Sequence, residues 1–381
     1  MPAKHTSKLR ARPQMTNHSG FKKLYQRWVK RTYLNEVDFF RTKHFTPPDF
    51  LKSLLLASVD NTSITDAFTY HRVQGLSCPS SELALKCLRS ITPTEMEVHV
   101  NWALRQQFQD LPPSLRRAFK KEGVVIIDFH GDHYYGNREN PLVTKGPTKR
   151  STQWSYQYLT AALASPRGMQ TIAVRFRYPD EPIADLFWDL FAWIEVILSP
   201  KMILMDGEFA KIRVFEGLLQ QGIPFVGRKN VTNRLFGLKL AYELTDNWLN
   251  LRKVHVITFQ DHSKRHQATV HVIFHQTKGE MKGLVFSPQL QFSPKEAEQL
   301  YSRRFSIETG YRDKHVFQAR TTSLHLSIRL LLYLFAIVLW NLWQAFLISV
   351  FPHKTTTLSQ INQWRRRIRT VKRFLMRDEL L

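Results

Sequence analysis

Gly123-Val-Val-Ile-Ile-Asp128-Phe-His-Gly-Asp132-His-Tyr-Tyr-Gly136 runs from apolar residues into an acidic one and then into a polar loop bounded by glycine. This is the pattern of a strand buried on both faces, which delivers Asp128 to its edge. A second stretch repeats it: Lys201-Met-Ile-Leu-Met-Asp206-Gly-Glu208-Phe is again an apolar strand that stops at an aspartate. Between the two, Trp154 to Ala164 and Met169 to Phe176 predict further strands, and Pro182 to Leu198 has apolar positions at helical spacing. Ala210 to Gln221 continues as a helix closed by Gly222, and Ile223 to Val226 as a short strand. Strands, helices and strand-ending carboxylates thus alternate as in an open α/β sheet, whose sites lie at strand ends.

Upstream, residues 21 to about 40 and 49 to 58 carry helical periodicity on either side of Pro47-Pro48, which is expected to interrupt it. Ser63 or Thr65 can cap a helix running to about Val73, while Ser80-Ser81 and Thr92-Pro93-Thr94-Glu95 open two more, the second reaching Phe108. Short helices joined by short turns suit a helix-turn-helix-like DNA-binding unit or a small bundle packed on the main domain, and the sequence leaves both open. Downstream, Val254-His-Val-Ile-Thr-Phe259 and Thr269-Val-His-Val-Ile-Phe274 alternate as antiparallel strands do. Ser293-Pro-Lys-Glu296 then starts a helix expected to run past Arg312. On it Tyr301, Arg304, Glu308, Arg312 and His315 are three, four or seven residues apart and share one face.

The chain has 381 residues, 43% of them hydrophobic and 12% aromatic, with no low-complexity segment and no internal repeat, which excludes the disordered and solenoid classes. Its 55 Lys and Arg against 31 Asp and Glu leave +24, the balance of a protein with a polyanionic partner, either nucleic acid or an acidic membrane surface. The bases concentrate at both ends. Eleven fall in residues 1–43 against Glu36 and Asp38, and seven in 364–381 against Asp378 and Glu379, as phosphate-seeking arms or as solvated basic faces. Cys78 and Cys87 lack metal-ligand spacing and fit a reducing interior, and no secretory leader is visible, so a cytoplasmic location is expected. Leu330 to Phe351 is apolar over a length that could cross a bilayer, but Asn341 and Gln344 in its middle favour a helix buried in a soluble core.

Taken singly, Asp128 and Asp206 could be turn-forming residues, and Glu308 half of a surface ion pair with Arg304 or Arg312. If they converge, three carboxylates repel one another unless cations sit among them. Hard oxygen ligands suit two Mg²⁺ or Mn²⁺ ions, which can activate an attacking hydroxyl and stabilise the leaving oxygen of a phosphodiester. Asp132 and Glu208, close to the first two, are expected to serve loop hydrogen bonds, and His130 and His133 offer a zinc alternative.

The spacing Tyr301-x-x-Arg304-x-x-x-Glu308, after Asp128 and Asp206 on apolar strands and with β structure inserted before it, resembles the DDE transposases of bacterial and archaeal insertion sequences. It is most similar to the group with a Tyr-Arg-Glu-Lys pattern on the glutamate helix. The Asp-x-His-x-x-x-Tyr-Tyr-Gly run from Asp128 to Gly136, the Asp206-Gly-Glu-Phe turn and the apolar helix ending near Trp340-Asn341-Leu-Trp343 resemble the family too, so the likeness extends from about Asp49 through Trp343. One position departs. Where the family has lysine seven residues after the glutamate, this chain has His315, with Lys314 one residue earlier. On an unbroken helix Lys314 points away from Glu308, which leaves Arg312 or His315 to contact a phosphate or a flipped base.

The resemblance implies an α/β, ribonuclease H-like catalytic core. Around it the chain divides into a basic arm at 1–20, an all-helical DNA-binding region at 21–118, the first part of the core at 119–230, a β-rich insertion at 231–292, helices completing the site at 293–351 and a basic tail at 352–381. Asp128, Asp206 and Glu308 are implied as catalytic residues and as ligands of two Mg²⁺ (or Mn²⁺) ions, and Tyr301, Arg304, Arg312 and His315 as DNA-binding residues. The implied partners are the element's terminal repeats and target DNA, held by a homodimer, with no membrane. The implied activity is cut-and-paste transposition by strand cleavage and strand transfer. The alternatives are a metal-dependent nuclease without strand transfer and a catalytically decayed DNA-binding protein.

Overall fold

Val124 to Ile127 and Met202 to Met205 are apolar at every position because the two strands they form are covered on both faces. A computed structural model describes residue 34 and residues 42–75, 77–149, 151–166, 168–229, 254–261, 263–277, 280–304, 314–315 and 317–350. The arm at 1–20, the helix expected over 21–40, Glu308, Arg312 and the tail at 352–381 lie outside the described residues.

Helices α1 (Pro47–Asp60), α2 (Ile64–Val73), α3 (Ser81–Arg89), α4 (Pro93–Gln109) and α5 (Pro113–Glu122) precede strand β1 (Val124–His133). Pro47-Pro48 starts α1 rather than interrupting the chain, because proline lacks only a donor that the first helical turn does not use. Ser63, Ser80 and Thr92 cap the next helices by accepting the N–H groups of Asp66, Leu83 and Glu95. Helix α5 closes on Gly123 at φ 60°, a left-handed conformation in which a Cβ would come within 2.7 Å of the Lys201 side chain.

After β1 come β2 (Thr144–Lys149), β3 (Thr152–Ser165), β4 (Gly168–Arg177), helix α6 (Ile183–Glu195), β5 (Met202–Met205), helix α7 (Ile212–Gln220) and β6 (Phe225–Lys229). Strands β7 (His255–Gln260), β8 (Gln267–Thr277) and β9 (Glu280–Phe286) come next, then α8 (Pro294–Ser302) and α9 (Leu326–Val350). The sheet runs β2-β3-β1-β5-β6-β9-β8-β7, with β4 also paired to β3. Strand β3 runs antiparallel to both β4 and β1, whereas β1, β5 and β6 are parallel. This mixed order, β4-β3-β1-β5-β6, is consistent with a ribonuclease H-like transposase core, and β9, β8 and β7 continue it as antiparallel neighbours. Ile126, Leu204 and Val226 face α1 to α4, α8 and α9; Val125, Ile127, Ile203, Met205 and Phe225 face α5, α6 and α7.

The free edge of β4 is closed by side chains. Asn341 of α9 accepts the Thr171 N–H at 2.9 Å and donates to its carbonyl at 2.7 Å. Asn101 of α4 does the same for Val174, at 2.8 and 2.9 Å, and Glu97 accepts the Phe176 N–H at 2.6 Å. A β-bulge shifts the register so that Ala161 pairs with Ala173 and Ala162 with Thr171, which turns Thr171 rather than Ile172 towards Asn341. The amide in the middle of the apolar α9 therefore serves as a substitute strand. Among the described residues α9 is the one helix long and apolar enough to cross a membrane, and it is buried against the sheet and α4.

The helix expected to run from Ser293 past Arg312 is shorter in its described part. It begins with the reciprocal Ser293–Glu296 capping box and ends at Ser302, whose hydroxyl bonds back to the Gln299 carbonyl and competes with the helical ladder. Arg303 and Arg304 lie in a turn.

The β4 edge sets two measurable outcomes. Replacing Asn341 by leucine raises the apolarity of α9 but strands two buried backbone groups, so it is expected to destabilise by about 2–5 kcal/mol, read as a lower denaturant midpoint at unchanged slope. Burial raises the Glu97 carboxyl to about 7 against the pull of Arg175, whose guanidinium is shared with Glu181 and Asp189. A carboxyl raised on folding takes up a proton, so its stabilisation is present at acidic pH and declines as pH rises from the usual 4.5 to about 7. Glu97→Gln is expected to flatten that decline in unfolding free energies measured across this window.

Candidate active site

The alignment of β5 on β1 starts at Gly123, whose carbonyl accepts the Lys201 N–H at 2.9 Å, and continues to Ile127 opposite Met205. Asp128 and Asp206 come next in this register and stand side by side, Asp206 just past the end of β5 but Asp128 within β1, which, contrary to the expected loop, continues to His133 paired with β3. Alternation decides their face. Ile127 and Met205 point to the α6–α7 side while Ile126 and Leu204 point to the α9 side, and both aspartates share the latter. The row continues in both directions, because Thr160 of β3 lies opposite Asp128 and Arg228 of β6 comes directly after Gly227, the partner of Met205.

Asp128 is buried and fully engaged. Its Oδ1 accepts the Phe129 N–H at 2.9 Å, and its Oδ2 accepts from Arg304 Nη1 at 2.8 Å, with side-chain exposures of only 9% and 6% for the pair. Arg304 also lies over the Tyr301 ring at 5.5 Å. Tyr301 is buried, and its hydroxyl is pushed up to about 12, first by burial and further by the negative charge of Asp206, with Arg304 and Arg228 opposing. Asp206 is half-buried, and its carbonyl accepts the Phe209 N–H in the 3₁₀ turn Gly207–Phe209. The structure thus brings Asp128, Asp206, Tyr301 and Arg304 into one cluster. Glu308 and Arg312 lie outside the described residues.

The expectation for the lysine position changes. His315 is exposed, with Nδ1 2.8 Å from Gln318 Oε1 and its ring 5.0 Å from that of His130. Lys314 is the buried one, with Nζ 5.1 Å from the centre of the Trp340 ring. Burial lowers its ammonium to about 7, with the charge of Asp128 partly opposing. Glu308 lies outside the described residues, and with it the expectation that Lys314 points away from it.

Aromatic rings wall the site from the α9 side. His130 stacks on Tyr333 at 4.8 Å and 4°, and Tyr333 on Tyr158 at 4.4 Å. Asp132 pairs with Arg329 at 3.1 Å, which also donates to the His133 carbonyl, and Glu208 approaches Arg177 at 3.7 Å. Asp132 lies within β1 rather than in a loop and ties that strand to α9, while Glu208 sits in the 3₁₀ turn after β5. Among the described residues no three His, Cys, Asp or Glu side chains group as a metal site, so the zinc alternative from His130 and His133 gains no third ligand there. Sequence reasoning missed Arg228 and Arg177. Arg228 could have been found from its place two residues after the short apolar run Ile223 to Val226, a signal close to the one that marked Asp128 and Asp206.

The donor set fits a hard divalent cation: two carboxylates from adjacent strands on one face, in a basic protein, with neighbouring charge already balanced by Arg304. Removing the two acids should have unequal costs. Asp128→Ala leaves the Arg304 guanidinium buried without its carboxylate and is expected to cost about 3–5 kcal/mol. Asp206→Ala, at a half-buried position, should stay within about 1 kcal/mol, both read by denaturant unfolding.

The family described as Transposase DDE domain matches this chain over residues 119–341, more than half its length. No curated protein matches it.

Proposed function

The chain belongs to the family of transposases that carry a DDE domain, and on that premise we propose that it is the transposase of an insertion sequence of bacterial or archaeal type, which cuts its element's ends and joins them to target DNA. DNA is the substrate that family membership implies, and the charge of +24 suits it. The observation that carries the finer reading is the parallel alignment of β1 and β5, which sets Asp128 and Asp206 side by side on one face with Tyr301 and Arg304 against them.

In this reading Asp128 and Asp206, with Glu308, hold two Mg²⁺ or Mn²⁺ ions, which when bound lower the pKa of an attacking hydroxyl and neutralise charge on the phosphate. The chain's own residues do the rest. Arg228 and Arg304 flank the carboxylates with guanidinium donors that match phosphate oxygens, and Tyr301, whose ring Arg304 covers, orients that guanidinium towards the DNA end. Lys314 lies buried within the field of Asp128, its ammonium disfavoured by burial. Water attacks the phosphodiester at the element's end and releases a 3′-hydroxyl. That hydroxyl then attacks a target phosphodiester, forming the new P–O bond and expelling a target 3′-hydroxyl. Helices α1 to α4 and the basic ends are the surfaces we assign to holding the terminal repeats, and synapsis of two ends calls for a homodimer.

The test incubates the purified protein with DNA carrying the element's ends and Mg²⁺, and looks for 3′-hydroxyl cleavage and joined products on gels. Asp206→Asn and Glu308→Gln are expected to lower cleavage by more than about 100-fold, beyond the loss typical of residues that only support a metal ligand, while DNA binding by gel shift stays within about twofold. Cleavage without joining would leave a nuclease, and full activity of either variant would remove that residue from the site.

A further inference from the structure

Arg304 occupies the position in the cluster that a metal most needs. One oxygen of Asp128 is engaged by the Phe129 N–H at 2.9 Å and the other by Arg304 at 2.8 Å, inside a pocket where both side chains are almost fully buried. A divalent ion brought to Asp128 Oδ2 would stand in contact range of the guanidinium on that same oxygen. Two cations so close, in a place that water barely reaches, repel strongly, and the carboxylate cannot serve both at full strength.

Resting on the transposase reading above, we propose that Arg304 and the divalent metal compete for Asp128, so that the DNA-free protein is held metal-poor and loading requires the guanidinium to let go. Arg304 is a positioning residue in this state, acting through Asp128. Once released, its planar fork has a phosphate oxygen as its natural partner, which links metal loading to arrival of the DNA backbone. The neighbouring Arg303 provides the comparison. It is about a third exposed and 3.6 Å from Glu122, away from the carboxylates, so it shares the charge of Arg304 but not its contact.

The experiment titrates Mn²⁺ into the DNA-free full chain and monitors free Mn²⁺ by electron paramagnetic resonance, for the wild type, Arg304→Gln, Arg303→Gln and Asp206→Asn. The expected result is Mn²⁺ binding at least about tenfold tighter in Arg304→Gln than in the wild type, little change in Arg303→Gln, and loss in Asp206→Asn. The same variant should show a larger rise in Tm on adding Mn²⁺ than the wild type does. A merely structural role for Arg304 predicts weaker metal binding, the opposite sign. If Arg304→Gln does not fold, phenylglyoxal modification of the wild type, mapped by peptide mass spectrometry, carries the test: Mn²⁺ should speed modification of Arg304 but not of Arg303. Equal Mn²⁺ affinity in wild type and Arg304→Gln, or a modification rate of Arg304 indifferent to saturating Mn²⁺, overturns the competition and leaves the transposase reading standing. No Mn²⁺ binding in any variant overturns both.

Discussion

The parallel pairing of β1 with β5 is the constraint on which the candidate site depends. Both strands are apolar on both faces, so a slip of one residue would turn every side chain to the wrong layer and the two aspartates with them. The register is held at its start by the Gly123 carbonyl, which binds the N–H groups of Lys201 and Met202, and Gly123 itself is required by its left-handed backbone and its approach to Lys201. With the register held, Thr160, Asp128, Asp206 and Arg228 form a row across four strands. The chemistry of the site is therefore decided at the opposite end of the strands from the carboxylates.

The same sheet would be open at β4 if α4 and α9 did not supply side chains in place of a strand. Asn101, Asn341 and Glu97 satisfy the outward backbone groups of Val174, Thr171 and Phe176, and through them the helices on either side of the core in sequence are tied to one edge. This explains why an otherwise apolar helix keeps an asparagine. In a bilayer that amide would be a cost, whereas against an unpaired edge it meets both a donor and an acceptor. Strand β4 in turn pairs with β3, and β3 with β1, so the edge closure is two strands away from Asp128.

Much of the core could be read from residues alone because its signals are local. Apolar runs that stop at aspartate gave β1 and β5, and the Ser293–Glu296 box gave the start of α8. Helix α5 and strand β2 carried no such signal. Arg116, Arg117, Lys120 and Lys121 crowd α5 so that only Leu115 and Phe119 mark its inner face, and β2 is held by its pairing to β3 rather than by its own apolar pattern. The site was legible where it depended on strand ends and illegible where it depended on the break after Ser302. A single hydroxyl bond to the Gln299 carbonyl lies below what periodicity can reveal, yet with the turn at Arg303 and Arg304 it marks where the described part of α8 ends.

A protein of charge +24 faces a particular difficulty at a carboxylate cluster, since its own cations are the nearest counterions available. Arg304, Lys314 and Arg228 all stand within the field of Asp128, Asp206 or Tyr301. Such neighbours stabilise the acids in the fold and, by the same Coulomb energy, oppose any further cation. On the proposed reading, polyanionic DNA would reverse the balance, because each phosphate that drew a guanidinium away would leave the carboxylates under-compensated and correspondingly better ligands. The basic surroundings that would weaken a metal site in isolation would then make its strength depend on the substrate, with the buried contact between Arg304 and Asp128 as the point where that dependence acts.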